Sequence, residues 1–288
     1  MTYNFIRFPG GKPKAVTLSY DDGSRDDVRF CETIDKYGLK CTFNLVGNKI
    51  EKEEGLTLEE IRRLILDKGH EIAVHGFEHR AQDTLRPIEG IRDILDCRLT
   101  LETTFGRIIR GMAFADRSLK RYDWPEVYDR VISYVKELDI VYCRNAIAGT
   151  GSFDLPKDWY NWVPTVRHAH PEALDYADKF IDIDLDNVYI SARDAKVFFL
   201  WGHSFEFERA NNWELLDEIC TKISGKDDIW YATNIEIYDY VTAYRSLVYS
   251  ADSSMVYNPT LIKIWFDVDG KLYVINPGET LEIAEARR

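Results

Sequence analysis

Strand-like and helix-like segments alternate along this chain, and the strand-like runs end in polar residues. Ala15-Val-Thr-Leu-Ser-Tyr20 is a β-rich run that ends in Asp21-Asp22-Gly23. A helical pattern follows through Val28, Cys31, Ile34 and Tyr37, and Gly38 stops it. Lys40–Val46 and Glu71–His75 read as the next strands, separated by a helix that Thr57 and Glu60 open with a capping box. A long helical stretch covers roughly Leu85 to Phe105. Arg107–Arg110, Ile140–Cys143, Lys196–Trp201 and Ile229–Ala232 supply four more strands, and Asn234 caps a final helix. Such alternation predicts a parallel sheet of βαβ units, and seven units suit an α/β barrel of the (β/α)7 type over residues 1–249. No GxGxxG or GxxxxGK[ST] loop is present, so a dinucleotide or P-loop fold has no support.

The pattern changes near Ser250. Thr260–Phe266, the turn Asp269-Gly270 and Leu272–Ile275 predict a hairpin with a type I′ turn, and a short strand follows from Thr280 to Ala284. Residues 250–288 therefore read as a small β appendage packed on the barrel, too short to be an independent domain.

In a parallel barrel the C-terminal ends of the strands share one rim, where such folds place their chemistry. Asp21, Asp22, His75, Arg110 and His203 all fall at predicted strand ends, and His79 lies in the loop after His75. A catalytic zinc site takes three nitrogen or oxygen ligands and keeps one position open. His75 and His79 supply two imidazoles, and Asp22 completes the set. The alternative is a pair of unrelated surface histidines. Asp21 and Asp22 repel each other unless a cation lies near. Both reach one site only if the chain turns there, which Gly23 permits; otherwise the Asp-Asp-Gly sequence is a loop capping the next helix.

His203 follows the apolar run Val197–Trp201, so it opens into the pocket or sits in the core. Arg110 follows Ile108-Ile109, and a buried cation there needs a carboxylate, for which Asp21 is the candidate. His168 and His170, ahead of Pro171, could suit a metal, but a loop or a substrate contact is the favoured reading. Trp159 and Trp162 lie in a loop with Asp154, Pro156 and Asp158. Their rings could stack on a sugar or pack in the core or a lid.

Composition narrows the partners. The chain has 288 residues, and 49 acidic against 37 basic residues give a net charge of −12, which argues against nucleic acid. Five scattered cysteines with no CxxC pair argue against a disulfide framework or a cysteine zinc site. No apolar h-region follows Met1 and no apolar run is long enough to span a membrane, so a cytoplasmic location with no membrane partner is expected.

Together these residues resemble the polysaccharide deacetylase family, with its NodB homology domain and carbohydrate esterase family 4 members. The family's Thr-Phe-Asp-Asp-Gly appears as Ser19-Tyr-Asp-Asp-Gly23. Its His-[Ser/Thr]-x-x-His appears as His75-Gly-Phe-Glu-His79, its Arg-containing motif as Arg110-Gly-Met-Ala-Phe114, and its final strand and histidine as Phe199-Leu-Trp-Gly-His203. The resemblance covers about residues 12 to 245. It implies a distorted barrel, one divalent metal on Asp22, His75 and His79, Asp21 as catalytic base and His203 as general acid. Arg110 would then hold Asp21. Zinc is the expected metal, and cobalt, nickel and iron also fit the donors. Tyr20 and Phe114 join Trp159, Trp162, His168 and His170 as candidate substrate contacts. The sequence departs from the family at Gly76, where a hydroxyl residue is usual, and after Arg110, where Pro-Tyr is missing; Asp158-Trp159 is the candidate for the fourth motif.

The expected reaction is removal of an N-acetyl group from a small saccharide or another acetamide, by a monomer or a homo-oligomer. The alternatives are hydrolysis of a non-sugar amide, cyclic amide or ureide, and carbohydrate binding without catalysis. An amidohydrolase with His-x-His on its first strand is excluded by Leu18-Ser-Tyr20.

Overall fold

The computed structural model describes residues 3–119, 121, 124–146 and 150–283. Its strands are β1 (Asn4–Arg7), β2 (Lys14–Asp22), β3 (Cys41–Leu45), β4 (Glu71–Val74), β5 (Gly111–Ala113), β6 (Tyr142–Arg144), β7 (Val166–Arg167), β8 (Lys196–Gly202) and β9 (Ile229–Tyr231). The helices between them are α1 (Asp27–Lys36), α2 (Leu58–Glu60, running on as a π-turn through Ile61–Leu66), α3 (Pro87–Phe105), α4 (Pro125–Glu137), α5 (Ala173–Ile181), α6 (Phe205–Ala210), α7 (Trp213–Ile223) and α8 (Asn234–Arg245). Among the described residues, no helix is long and apolar enough to cross a membrane.

Seven strands curl into one parallel sheet in the order β6-β5-β4-β3-β2-β8-β7, the distorted (β/α)7-type barrel that the alternation predicts. β2 is the central strand, and only its last residue is more than marginally exposed. β8 pairs along Lys14–Tyr20 on one side; on the other, β9 takes Lys14–Val16 and β3 takes Leu18–Asp22. Such two-sided burial explains why β2 and β8 read as continuous apolar runs. Residues 162–167 span the gap between the outer strands: Trp162 bridges Arg144 of β6, and Val166 pairs with Leu200 of β8.

Two strand boundaries differ from the sequence reading. Gly106 ends α3 with a φ of +65°, and the chain then runs along the barrel's lower edge, with Ile108 78% exposed. The fourth sheet strand therefore starts after Arg110 instead of ending there. The next strand runs one residue past Cys143 and ends at Arg144. Both shifts move charges relative to the rim formed by the C-terminal ends of the strands.

The opposite end of the barrel is closed by α8. Thr233, one residue before the expected Asn234, forms the capping box with Glu236. Glu71, at the start of β4, accepts from the Thr42 hydroxyl (2.7 Å), the Tyr142 hydroxyl (2.7 Å) and the Ile235 amide (2.9 Å). One carboxylate thus ties β3, β4 and β6 to the positive end of α8.

The C-terminal region forms β10 (Val248–Tyr249), β11 (Met255–Tyr257), β12 (Ile264–Val268), β13 (Lys271–Ile275) and β14 (Thr280–Glu282). Asp269 and Gly270 both have positive φ, as a type I′ turn requires. Ala284 lies outside the described residues. The appendage is not purely C-terminal, because β1 pairs antiparallel with β12. Tyr240 of α8 donates to the Arg7 carbonyl (2.6 Å) and accepts from the Trp265 amide (2.9 Å), fastening this sheet to the barrel.

Glu71→Ala leaves three donors without their acceptor. It is expected to destabilise the protein by about 2–3 kcal/mol in urea unfolding, whereas an exposed substitution such as Glu53→Ala leaves the midpoint nearly unchanged.

Candidate metal centre and catalytic groups

The end of β2 presents both carboxylates to one place. Ser19 and Asp21 share a face of the strand, since Asn44 Nδ2 donates to both at 2.8 Å. Tyr20 points to the other face. Asp22 would follow it, but its φ of +81° turns the chain, and its side chain comes back to the rim. Aspartate is one of the few residues that tolerate this left-handed backbone.

Asp22 Oδ1 lies 3.1 Å from His79 Nε2 and 3.7 Å from His75 Nε2. Ligand atoms of all three residues lie within 4.8 Å of one another. Oδ1 is buried with no hydrogen-bond donor of its own. His75 directs Nδ1 at the Ala113 carbonyl (2.9 Å), which places the proton on Nδ1 and leaves Nε2 bare toward Asp22. Burial pulls the His75 pKa down to about 4, so the ring is neutral at physiological pH. His79 Nε2 accepts a longer bond from the Asp116 amide (3.3 Å). Burial raises the Asp22 carboxyl, but His79, His75 and Lys49 outweigh it and hold the group below the usual carboxylate range. One carboxylate and two imidazoles around an unclaimed buried oxygen fit a divalent transition metal.

The loop between the two histidines is held by Asp93 of α3. Its Oδ1 accepts from the amides of Phe77 (3.0 Å) and Glu78 (2.7 Å), and its Oδ2 from Gln82 Nε2 (2.9 Å). A Cβ on residue 76 would stand 2.6 Å from Asp93 Oδ2, and Gly76 has a φ of +77°. The missing hydroxyl at this position is thus the space that the Asp93 carboxylate occupies.

Asp21 is almost wholly buried and pairs with Arg144, whose Nη2 lies 2.5 Å from Oδ2. The guanidinium also lies over the Trp201 ring, 4.7 Å from its centroid. This corrects the assignment of Arg110, which sits at the opposite end of the barrel and forks onto Asp239 of α8 at 3.0 and 2.5 Å. Sequence reasoning missed Arg144 because it ended that strand one residue early; a cation after the apolar run Ile140–Cys143 was the available signal.

His203 follows β8, with Nε2 3.8 Å from Asp21 Oδ2 and Nδ1 2.9 Å from Glu206 Oε1. Burial lowers the His203 pKa, but Glu206, Asp21 and Asp22 outweigh it and raise it above the ordinary histidine value. Burial also raises Glu206, yet hydrogen bonds from His203 and Arg167 bring its pKa down to about 2. Glu206, three residues after His203 in α6, was also missed; its position on the first turn of the following helix was the only cue.

The other candidate substrate contacts do not line this site. Trp162 is buried between Tyr142 and Phe199, with ring centroids at 5.8 and 4.7 Å, and Trp159 packs on Trp162 and on Tyr238 of α8. They close the lower barrel, because their loop crosses its base. Phe114 packs in the main core. Tyr20 is buried outside the sheet with its hydroxyl 3.1 Å from His168 Nδ1. His168 is itself buried, and His170 is exposed with Nδ1 accepting from the Glu172 amide (3.2 Å). The surface next to Asp22 is instead a pocket of about 480 Å³ whose lining includes Arg25, Asp26, Lys49, Glu53, Phe205 and Arg209.

The polysaccharide deacetylase family model matches residues 9–141, which hold Asp21, Asp22, His75 and His79 but not Arg144 or His203. No curated protein matches the chain in sequence. Among solved structures, it is similar to a Mycobacterium smegmatis protein described as a polysaccharide deacetylase (16% identity, 83% of this chain and 94% of that one, TM-score 0.57). The Xyl-CE4 domain of a multidomain xylanase from the hindgut metagenome of Trinervitermes trinervoides is also similar (13% identity, 81% and 92%, TM-score 0.52). So is a family 4 acetyl xylan esterase from Clostridium thermocellum, solved with a cobalt ion (19% identity, 78% and 90%, TM-score 0.49).

Two outcomes follow from the geometry. Arg144→Met strands Asp21 in the protein interior and is expected to lower kcat about 100-fold or more, whereas Arg110→Met leaves kcat nearly unchanged; steady-state kinetics of both variants separate them. The second concerns Asp27, buried behind the site, whose carboxyl burial pushes up to about 8. A carboxyl with a folded pKa above its unfolded value of about 4 keeps its proton in the native state. Unfolding then releases that proton, so stability falls as pH rises from about 4 to about 8. The gain in Tm from Asp27→Asn should therefore be larger at about pH 8 than at about pH 5; an equal shift at both contradicts the assignment.

Over residues 9–141 this chain therefore matches the polysaccharide deacetylase family model, the family that its motifs resemble.

Proposed function

We propose that this protein is a metal-dependent hydrolase that removes an N-acetyl group from a saccharide. The observation that carries the reading is the convergence of Asp22, His75 and His79 within 4.8 Å, with Asp21 and His203 on the same rim. When bound there, a divalent metal supplies Lewis-acid polarisation and a lowered pKa for water. Zinc suits the donors best, and cobalt, nickel and iron are compatible with them.

The protein's own groups divide the proton work. Asp21, oriented by Asn44 and Arg144, accepts the proton of the attacking water at the carboxylate edge. His203, its Nδ1 proton held by Glu206, donates from Nε2 to the leaving nitrogen. An amine leaving group needs that proton far more than an alkoxide does, and Glu206, Asp21 and Asp22 around His203 favour its protonated form. This favours an amide over an ester as the bond cleaved.

A second reading, hydrolysis of a small non-sugar amide, gains from the charged lining beside Asp22 and from the packing of Trp159 and Trp162 away from the rim. A panel of N-acetylated saccharides and simple acetamides, scored by acetate release, distinguishes the two.

His75→Ala is expected to lose bound metal and activity together. Asp21→Asn is expected to keep the metal and lower kcat about 100-fold or more. Elemental analysis beside acetate release measures both, and full activity in a metal-free His75→Ala protein contradicts the scheme.

A further inference from the structure

His203 does not meet Glu206 alone. Glu206 Oε2 lies 3.2 Å from His168 Nε2, and His168 Nδ1 lies 3.1 Å from the Tyr20 hydroxyl. The tautomer protonated on Nε2 sets that N–H beside the carboxylate and leaves Nδ1 to accept from Tyr20. One neutral tautomer suits both contacts, a close N···O approach to Glu206 and a hydrogen bond from Tyr20. His168 is buried, its amide is bonded to the Trp201 carbonyl (2.9 Å), and its ring stacks on Phe207 with centroids 4.0 Å apart.

The residue before the catalytic histidine explains how the ring fits. A Cβ on Gly202 would lie 2.0 Å from His168 Nδ1 and 2.4 Å from its Cε1. Gly202 does not have a positive φ. Glycine stands there for space and not for backbone freedom, and the space is filled by one imidazole.

From this packing we infer that His168, admitted by Gly202 and fixed by Tyr20, is a positioning residue that holds Glu206 in the orientation that fixes His203. Its N–H lies against one carboxylate oxygen at 3.2 Å, and the other accepts from His203 Nδ1 at 2.9 Å. Arg167 donates to the same carboxylate from the solvent side, with Nε 3.2 Å from Oε2. Glu206 is thereby held between a buried imidazole and an exposed guanidinium. This inference rests on the reading of His203 as the general acid. The alternative is a core histidine that contributes packing alone.

The test compares His168→Phe, which keeps a stacking ring without the N–H, with His168→Gln, which restores a donor near the Nε2 position. Two readouts are used: the Nδ1–H proton resonance of His203 in protein labelled with 15N-histidine, and steady-state kinetics with elemental analysis. His168→Phe is expected to lose the downfield, exchange-protected resonance. Its kcat should fall about tenfold or more, with KM and metal content retained. His168→Gln should recover the resonance and most of kcat. Gly202→Ala, which pushes the imidazole aside, should reproduce the His168→Phe signature and covers the case in which that variant does not fold. The inference is overturned if His168→Phe keeps both resonance and kcat, or if His168→Gln is no better than His168→Phe. If the wild-type protein turns over no acetamide, the substrate reading fails, while the resonance pattern still decides the role of His168.

Discussion

Two adjacent carboxylates cannot share a low-dielectric site unless each has its own positive partner. Asp21 and Asp22 end the central strand of the barrel, and much of the rim is arranged around separating them. The left-handed backbone at Asp22 turns the second carboxylate away from the first. Asp21 then takes Arg144 from the end of β6, in a pair of which both members are almost fully buried. Asp22 faces His79 and the neutral His75, and takes its fixed positive charge from Lys49 on the solvent side (3.5 Å). A buried pair of this kind is costly to break from one side, because the remaining charge has no water to return to. That constraint assigns the two carboxylates different work: one is held by a fixed cation, and the other faces imidazoles that can share an exchangeable one.

The histidines show the same sorting by environment. His75 and His168 are deeply buried, and burial brings both to about 4, which keeps them neutral. His203 is also largely buried, but the surrounding carboxylates reverse the effect and favour its charged form. In the proposed scheme one residue type thus serves as metal ligand, buried neutral support and proton donor, according to what faces each ring.

Much of this was legible in the sequence. The alternation of strands and helices gave the barrel, and the strand ends gave Asp21, Asp22, His75 and His203 a common address. The arginine was misplaced because side-chain location in a barrel depends on where a strand starts. Arg110 and Arg144 both follow apolar residues, and a shift of a few residues carries one to the base and leaves the other at the rim. Periodicity over a three-residue strand such as Gly111–Ala113 is too short to fix its ends. Trp159 and Trp162 were misread for a different reason. Their loop is polar in composition, but it returns under the barrel, where the open base needs large rings to fill it. Glu206 and Asp93 act on site residues from helices, and no spacing rule links them to their targets.

The central claim is that Asp22, His75 and His79 hold one divalent metal beside Asp21. It is tested most directly by an anomalous diffraction map at the zinc edge from crystals of the chelated and reloaded protein. The account predicts one strong peak about 2.0–2.2 Å from Asp22 Oδ1, His75 Nε2 and His79 Nε2, with Asp21 outside that shell. A peak held by other residues, or no peak at these three atoms in reloaded crystals, contradicts it.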